Sequence, residues 1–250
     1  KGQRALSVVQ RQDQVGIIAR GLLADLRTDL ARNSLTLAYQ PKHDRLGKIA
    51  GVEALLRWPH ALHGPLSPAV AVNLAEDSGD IQQLGLWVLD QAFACKARWN
   101  ALGFESLTLS VNVSPLQLTN PALPAWLALN LKRYALDPAT IELEITESAE
   151  IPNSQAVEQI LEQLVLTGVH LAMDDFGMGY SSLLYMRRFP VHAIKIDGSL
   201  TRDVLSNSTN ADIIRTIVSL GRAQEVVVVV EFVETLEQRD ALAGMGCDLF

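Results

Sequence analysis

Short apolar runs alternate with segments of helical periodicity along nearly the whole chain, and that alternation restricts the fold more than any other feature of the sequence. The runs lie at 35–40, 49–57, 107–113, 141–146, 169–174, 193–197 and 226–231, with a further one beginning at Cys247. Runs of this length read as strands, and strands separated by helices read as βα units around a parallel sheet. A chain of 250 residues buries about three quarters of its unfolded surface in one core, and parallel α/β barrels often occupy this length as a single domain.

The intervening segments carry helix signals. Ser67 and Pro68 supply an N-cap and a first-turn proline, and Ile81, Leu84, Val88, Ala92, Cys95 and Trp99 form an apolar stripe at helical spacing. Val157, Ile160, Leu161 and Leu164 lead to Gly168, and Ile213, Ile214, Ile217 and Val218 lead to Gly221, each marking an outer helix with one buried face. Residues 1–20 are mostly polar and read as a linker or the tail of an upstream domain, with the globular domain over 21–250.

A formal net charge of −7 gives no basic face for a DNA or RNA polymer, so an anionic ligand needs metal ions or a local cationic pocket. The two cysteines, Cys95 and Cys247, have no metal-ligand spacing and fit a reducing cytoplasm. No apolar stretch approaches the roughly 18 residues needed to span a bilayer, and residues 1–14 lack the apolar core of a signal peptide. A cytoplasmic domain is the expectation, with membrane tethering open for a longer parent chain.

The informative polar residues lie inside or at the ends of the apolar runs: Glu53, Asn112, Glu144, Asp174, Asp175, Lys195 and Glu231. A buried unpaired charge is costly, so each requires a partner or a task. In a (β/α)₈ barrel the carboxyl ends of all strands open on one face, which brings such residues together across long sequence gaps. Strand alternation puts Glu53, Leu55 and Arg57 on one face, Asn112 with Thr108 and Ser110, Glu144 with Glu142 and Thr146, and Lys195 with Asp197. Asp174 and Asp175 should diverge in a regular strand, but Gly177 and Gly179 indicate a turn that lets both reach one site.

Carboxylates with one amide oxygen, and no His or Cys among them, are hard ligands for Mg²⁺ or Mn²⁺ rather than zinc. Two ions about 3.5–4 Å apart can share a carboxylate, activate water and neutralise charge in an attack on phosphorus. The residues by themselves therefore point to metal-assisted phosphoester chemistry. Taken singly, Glu53 reads as a paired strand residue, Asp174-Asp175 as a turn pair, Lys195 as a solvated strand-end lysine and Arg57 as a neutralising partner of Glu53. His43, His60, His63, His170 and His192 form no cluster in sequence.

In order along the chain, Tyr39-Gln40-Pro41, Gly51-Val52-Glu53-Ala54-Leu55-Leu56-Arg57-Trp58, Val111-Asn112-Val113-Ser114, Glu144-Ile145-Thr146-Glu147, the stretch from Asp174 to Ser182 and Lys195-Ile196-Asp197 resemble the successive motifs of EAL-domain phosphodiesterases. The resemblance implies a TIM-like barrel that linearises cyclic di-GMP to 5′-pGpG with two divalent cations. It places one metal on Glu53, Asn112, Glu144 and Asp174, and the second on Asp174, Asp175 and Glu231. It sets Lys195 at the water or scissile phosphate, Gln40, Arg57 and Asp175 at the substrate, and Glu147 as a brace for the loop 176–185, which also implies a homodimer contact. Glu53, Lys195 and Glu231 are then the catalytic group, with Glu231 and Lys195 both candidates for the base.

The chain departs from this pattern in three places. Phe232 stands where the family usually has glycine, Gly198 stands where it usually has arginine, and the sequence ends at Phe250 before the segment that completes the eighth strand. The expectation is an EAL-type barrel lacking its final strand, with unpaired edges. Residues 1–6 faintly resemble the tail of a GGDEF domain, so a GGDEF or sensor neighbour is an expected partner. Phe232 and Gly198 also leave open a catalytically silent cyclic di-GMP receptor, and beyond that an interaction domain that binds no nucleotide.

Overall fold

The computed structural model describes residues 2–146, 155–177 and 190–250, with side chains from residue 16 onward. Its framework is one sheet in the order β1 (Thr36–His43), β2 (Ile49–His60), β4 (Thr108–Asn112), β5 (Ile141–Thr146), β6 (His170–Phe176), β7 (Ala193–Ile196) and β8 (Val227–Val230). The short β3 (Gly64–Leu66) pairs with the end of β2. From β2 to β8 each successive pair in this order is parallel, as the helical segments between the strands require.

The first pair departs from the all-parallel expectation, because β1 runs antiparallel to β2. Only residues 44–48 join them, and a parallel partner needs a crossover of about a dozen residues or more. The turn is built locally: Asp44 Oδ1 accepts from the amides of Leu46 and Lys48, both at 2.9 Å, and Gly47 takes φ 78°.

The expected gap at the eighth barrel position is spanned. Leu249 bridges Val229 in parallel and Asp44 in antiparallel fashion, and His43 and Phe250 exchange backbone hydrogen bonds at 2.8 and 2.9 Å. These contacts close the ring between β8 and β1 and satisfy backbone groups there. The full-length strand that a regular barrel has at this position is reduced to these bridges, which corrects the expectation of unpaired edges.

Alternation sorts the side chains into two shells. The outward residues pack against helices: Leu109, Val111, Ile141, Leu143, Ile145 and Leu171 join Leu89, Phe93, Leu127, Leu161 and Leu164, while Ile194, Ile196, Val228 and Val230 meet Ile214, Ile217 and Val218. In the helix Ser208–Ala223, Ile213 faces out instead of joining the expected apolar face, and the helix runs past Gly221. A Cβ at Gly221 would stand 2.6 Å from Val228 Cγ2, so glycine here serves close helix-to-strand approach rather than termination. The stripe on Ile81–Ala101 buries Ile81, Leu84, Ala92 and Cys95 as expected. Pro68 opens the helix Pro68–Ser78, although the Ser67 side chain makes no capping bond.

The inward residues differ along the ring. Ala172, Ala193 and Val229, with Leu249, make a small apolar plug, and the inner face also carries Lys42, Glu53, Leu55, Asp174 and Lys195. At the amino end, the helix Gly2–Ala31 runs through residue 20 without interruption. Leu26 and Leu30 pack with Trp58, Trp58 donates to Asp29 at 2.8 Å, and His60 meets Asp25 at 3.1 Å. No helix among the described residues is long and apolar enough to cross a membrane.

Candidate active site

The parallel register carries the polar residues of successive strands to one end. Asn112 ends β4 and is level with Glu144 of β5, Thr146 is level with Asp174 of β6, and Glu231 follows the last residue of β8. Glu53 enters from β2, level with Ser110. The carboxylates of Glu53, Glu144, Asp174 and Glu231 converge on Lys195 of β7. Its ammonium lies 2.8 Å from Glu144 Oε2, 2.9 Å from Glu231 Oε1, 3.1 Å from Glu53 Oε2 and 3.2 Å from Asp174 Oδ1. Asn112 Nδ2 donates to Glu53 Oε1 at 2.8 Å.

These residues head a cleft of about 730 Å³ whose walls include Gln40, Glu53, Asn112, Asp174, Lys195, Glu231 and Phe232. The Lys195 side chain is 1% exposed and that of Glu144 0%, whereas Glu231 keeps 25%. The cluster therefore grades from a buried floor to an open rim. Burial pushes the Glu144 carboxyl up to about 8, against the pull of Lys195 and Lys42. Burial also raises Glu231. For Glu53 burial acts upward too, but Lys195, Asn112 and Lys42 outweigh it and hold the carboxyl below its ordinary range. Burial disfavours the Lys195 ammonium, yet Glu144, Asp174, Glu53 and Glu231 together hold it charged well above the usual lysine range.

A second polar layer lies beneath and was not assigned a role from sequence. Lys42 of β1 donates to Glu142 Oε1 at 2.8 Å, to Glu144 Oε1 at 3.3 Å and to Ser110 Oγ, and Ser110 Oγ also donates to Glu142 at 2.7 Å. Each oxygen of Glu144 thus faces a different lysine. Alternation had put Ser110 with Asn112 and Glu142 with Glu144. The signal for Lys42 was the same one that singled out Glu53, a charge on the inward face of an otherwise apolar strand.

Other expected residues fall elsewhere. Asp175 takes φ 56° at a register shift between Met173 and Phe176; the bulge leaves Asp174 in the cleft, and Asp175 is half-buried outside its walls. Arg57 shares the strand face of Glu53 but is exposed beyond the walls, and its guanidinium donates to the carbonyl of Leu56. Glu53 is held by Lys195 and Asn112 instead. Glu147 and most of the loop 176–185 lie outside the described residues.

The donor set fits a hard cation. Four carboxylates surround one ammonium, an excess of three negative charges before Glu144 takes a proton. Divalent cations are the ordinary neutraliser of such a group. The carboxylates gather about Lys195, and no three acidic, His or Cys side chains among the described residues form a ready coordination shell.

Fold and site together define an α/β barrel whose strand ends build an acidic cleft around a buried lysine. A sequence profile of the EAL domain matches residues 23–250, and the chain belongs to the EAL domain family. It is 42% identical over 228 residues to the bifunctional diguanylate cyclase/cyclic di-GMP phosphodiesterase MucR of Pseudomonas aeruginosa, covering 91% of this chain and 33% of MucR. It is 38% identical over 212 residues to the cyclic di-GMP phosphodiesterase PA2567 of the same organism, covering 84% of this chain and 36% of that protein. The chain thus spans about a third of the length of these relatives. Among solved structures, the PaMucR phosphodiesterase in complex with c-di-GMP superposes with a TM-score of 0.86 at 42% identity, over 92% of this chain and 93% of that one.

Proposed function

We propose that the domain hydrolyses one phosphodiester of cyclic di-GMP to give 5′-pGpG, supported by two divalent cations, Mg²⁺ or Mn²⁺. The observation that carries this reading is the convergence of Glu53, Glu144, Asp174 and Glu231 on Lys195 at the head of the cleft. Glu53, Asn112, Glu144 and Asp174 would hold one ion, and Asp174 and Glu231, with Asp175 on movement of the bulge, the other. When bound, the ions supply charge neutralisation at phosphorus and a reactive water.

The protein groups divide the remaining work. Lys195, held charged among the carboxylates of the metal-free site, would donate hydrogen bonds to the developing phosphorane oxygens. Glu231, the most exposed of the four carboxylates and raised by burial, is placed to accept the proton from water. Gln40 lies opposite Glu53 on the cleft wall and positions the dinucleotide; Arg57 reaches it only from outside the walls. Buried, unpaired Cys95 and Cys247 fit a reducing cytoplasm. A homodimer, and a GGDEF or sensor domain in the same parent chain, belong to the same reading, and the relatives' greater length supports further domains.

The test is chromatographic product analysis with cyclic di-GMP and MgCl₂ or MnCl₂. Formation of pGpG, lost in Glu53→Gln, is the expected result. A second reading, a catalytically silent receptor, is favoured by the Phe232 ring in the cleft wall. Tight binding of cyclic di-GMP without added metal and without turnover would select it.

A further inference from the structure

Phe232 combines three locally unfavourable features next to a site carboxylate. Its backbone takes φ 56°, a left-handed conformation uncommon for bulky residues. Its side chain occupies the space that any Cβ at position 198 would need: an atom there would lie 2.1 Å from Phe232 Cδ2, 2.6 Å from Cγ and 2.9 Å from Cε2. Gly198 is therefore a requirement of the ring, even though it opens the helix Gly198–Thr201 with the poorest ordinary helix former. Finally, the residue remains 49% exposed and lines the cleft beside Glu231.

Packing alone does not account for this arrangement, because an aromatic ring seated for core stability is hidden from water. Here the fold accepts backbone strain and a helical glycine while leaving Phe232 exposed at the cleft wall. The guanidinium of Arg202 lies over the ring, with Cζ 4.6 Å from its centroid, and fixes it from one side. The ring is flat and apolar, and it shares the cleft with the carboxylates of Glu53, Asp174 and Glu231 and with apolar Leu55, Val229 and Phe250. It offers nothing to a phosphate or a metal and is suited to the face of a heteroaromatic base, since every base has a π-face and stacks on aromatic side chains.

We propose that Phe232, seated by Gly198 and Arg202, is the stacking surface for one guanine base of the dinucleotide. This rests on cyclic di-GMP being the ligand of the cleft. The wild type, F232L, F232G and F232W are compared in steady-state turnover of cyclic di-GMP with Mg²⁺, and in calorimetric binding of cyclic di-GMP without added divalent metal. F232G removes the left-handed strain, so its melting temperature reports any folding defect separately. Loss of one base stack weakens binding by about 5- to 150-fold. The expected result is that rise in KM and Kd for F232L and F232G, with kcat changed less, and values for F232W within about threefold of wild type.

Unchanged KM and Kd in F232G, a fall in kcat at constant KM, or an F232W as weak as F232L would each overturn the assignment. Wild-type protein that binds cyclic di-GMP without turning it over refutes the phosphodiesterase reading and leaves the stacking role to be decided by Kd alone. Wild-type protein that neither binds cyclic di-GMP nor turns it over with Mg²⁺ overturns both.

Discussion

Replacing Lys195 by methionine tests whether the acidic cluster is built for cations. The substitution keeps much of the side-chain volume but removes the ammonium from within 3.2 Å of Glu53, Glu144, Asp174 and Glu231. Breaking a buried ion pair by deleting one partner costs about 3–5 kcal/mol, and here one cation serves four carboxylates. For a domain of this size 1 kcal/mol shifts Tm by about 2–4 °C, so the expected loss is about 6–20 °C without metal. Proton uptake by the carboxylates offsets part of it, which makes the deficit smaller at pH 5.5 than at pH 8.5. The informative measurement is the same melt with millimolar Mg²⁺ or Mn²⁺. If the cluster accepts divalent ions, the metal-induced rise in Tm is larger in K195M than in wild type, because the ions enter without competing with the ammonium. A deficit of equal size with and without metal would refute the reasoning and make the cluster a closed ion-pair network.

Three further outcomes are expected. Since burial raises Glu144 to about 8, the folded protein holds a proton there that the unfolded chain, with a pKa of about 4.3, has released; this contribution to metal-free stability is present at low pH and is lost as pH rises toward 8. The Mg²⁺-induced gain in Tm should therefore grow between pH 5.5 and 8.5, and a flat profile would count against a protonated floor. K42M should cost about 3–5 kcal/mol by removing the buried cation from Glu142 and Glu144, and K42M/E142Q should recover part of it; additive losses in urea denaturation would show that the two do not act as a pair. G221A places a Cβ 2.6 Å from Val228 Cγ2 and 3.1 Å from the Val226 carbonyl, which overpacks the helix Ser208–Ala223 against β8 and should cost about 1–3 kcal/mol by the same method.

Strand positions were legible because apolar runs flanked by helical periodicity leave few other folds, and Ile141–Thr146 falls where the sequence puts it. The direction of β1 was not, since periodicity is blind to strand sense; the short connection through Asp44 and Gly47 held that information. Of the site, the residues carrying charge on inward faces were visible one at a time, and parallel register brings Glu53, Asn112, Glu144, Asp174, Lys195 and Glu231 together. Arg57 and Asp175 differ for local reasons. Arg57 lies beyond the cleft at the far end of a long strand, and the bulge at Asp175 depends on a left-handed backbone that an aspartate adopts only in a particular tertiary setting. Lys42 shows the opposite case, a buried lysine whose partners Glu142 and Glu144 lie a hundred or more residues away.

Gly198 and Phe232 change meaning once their contact is known. As separate departures from the family pattern, each subtracts from the case for an active site: one as a missing cation, the other as an obstruction. In space they are one event, because the ring fills the volume vacated at position 198. They therefore cannot be counted twice against catalysis. Nor does the ring displace the neighbouring acid, since Glu231 still reaches Lys195 at 2.9 Å. The cation missing from position 198 has a counterpart one turn along, where Arg202 lies over the same ring. The pair thus alters the surface offered to the ligand while leaving the carboxylate set intact, so its consequences belong in binding and selectivity, where KM and Kd report them, before they belong in the chemical step.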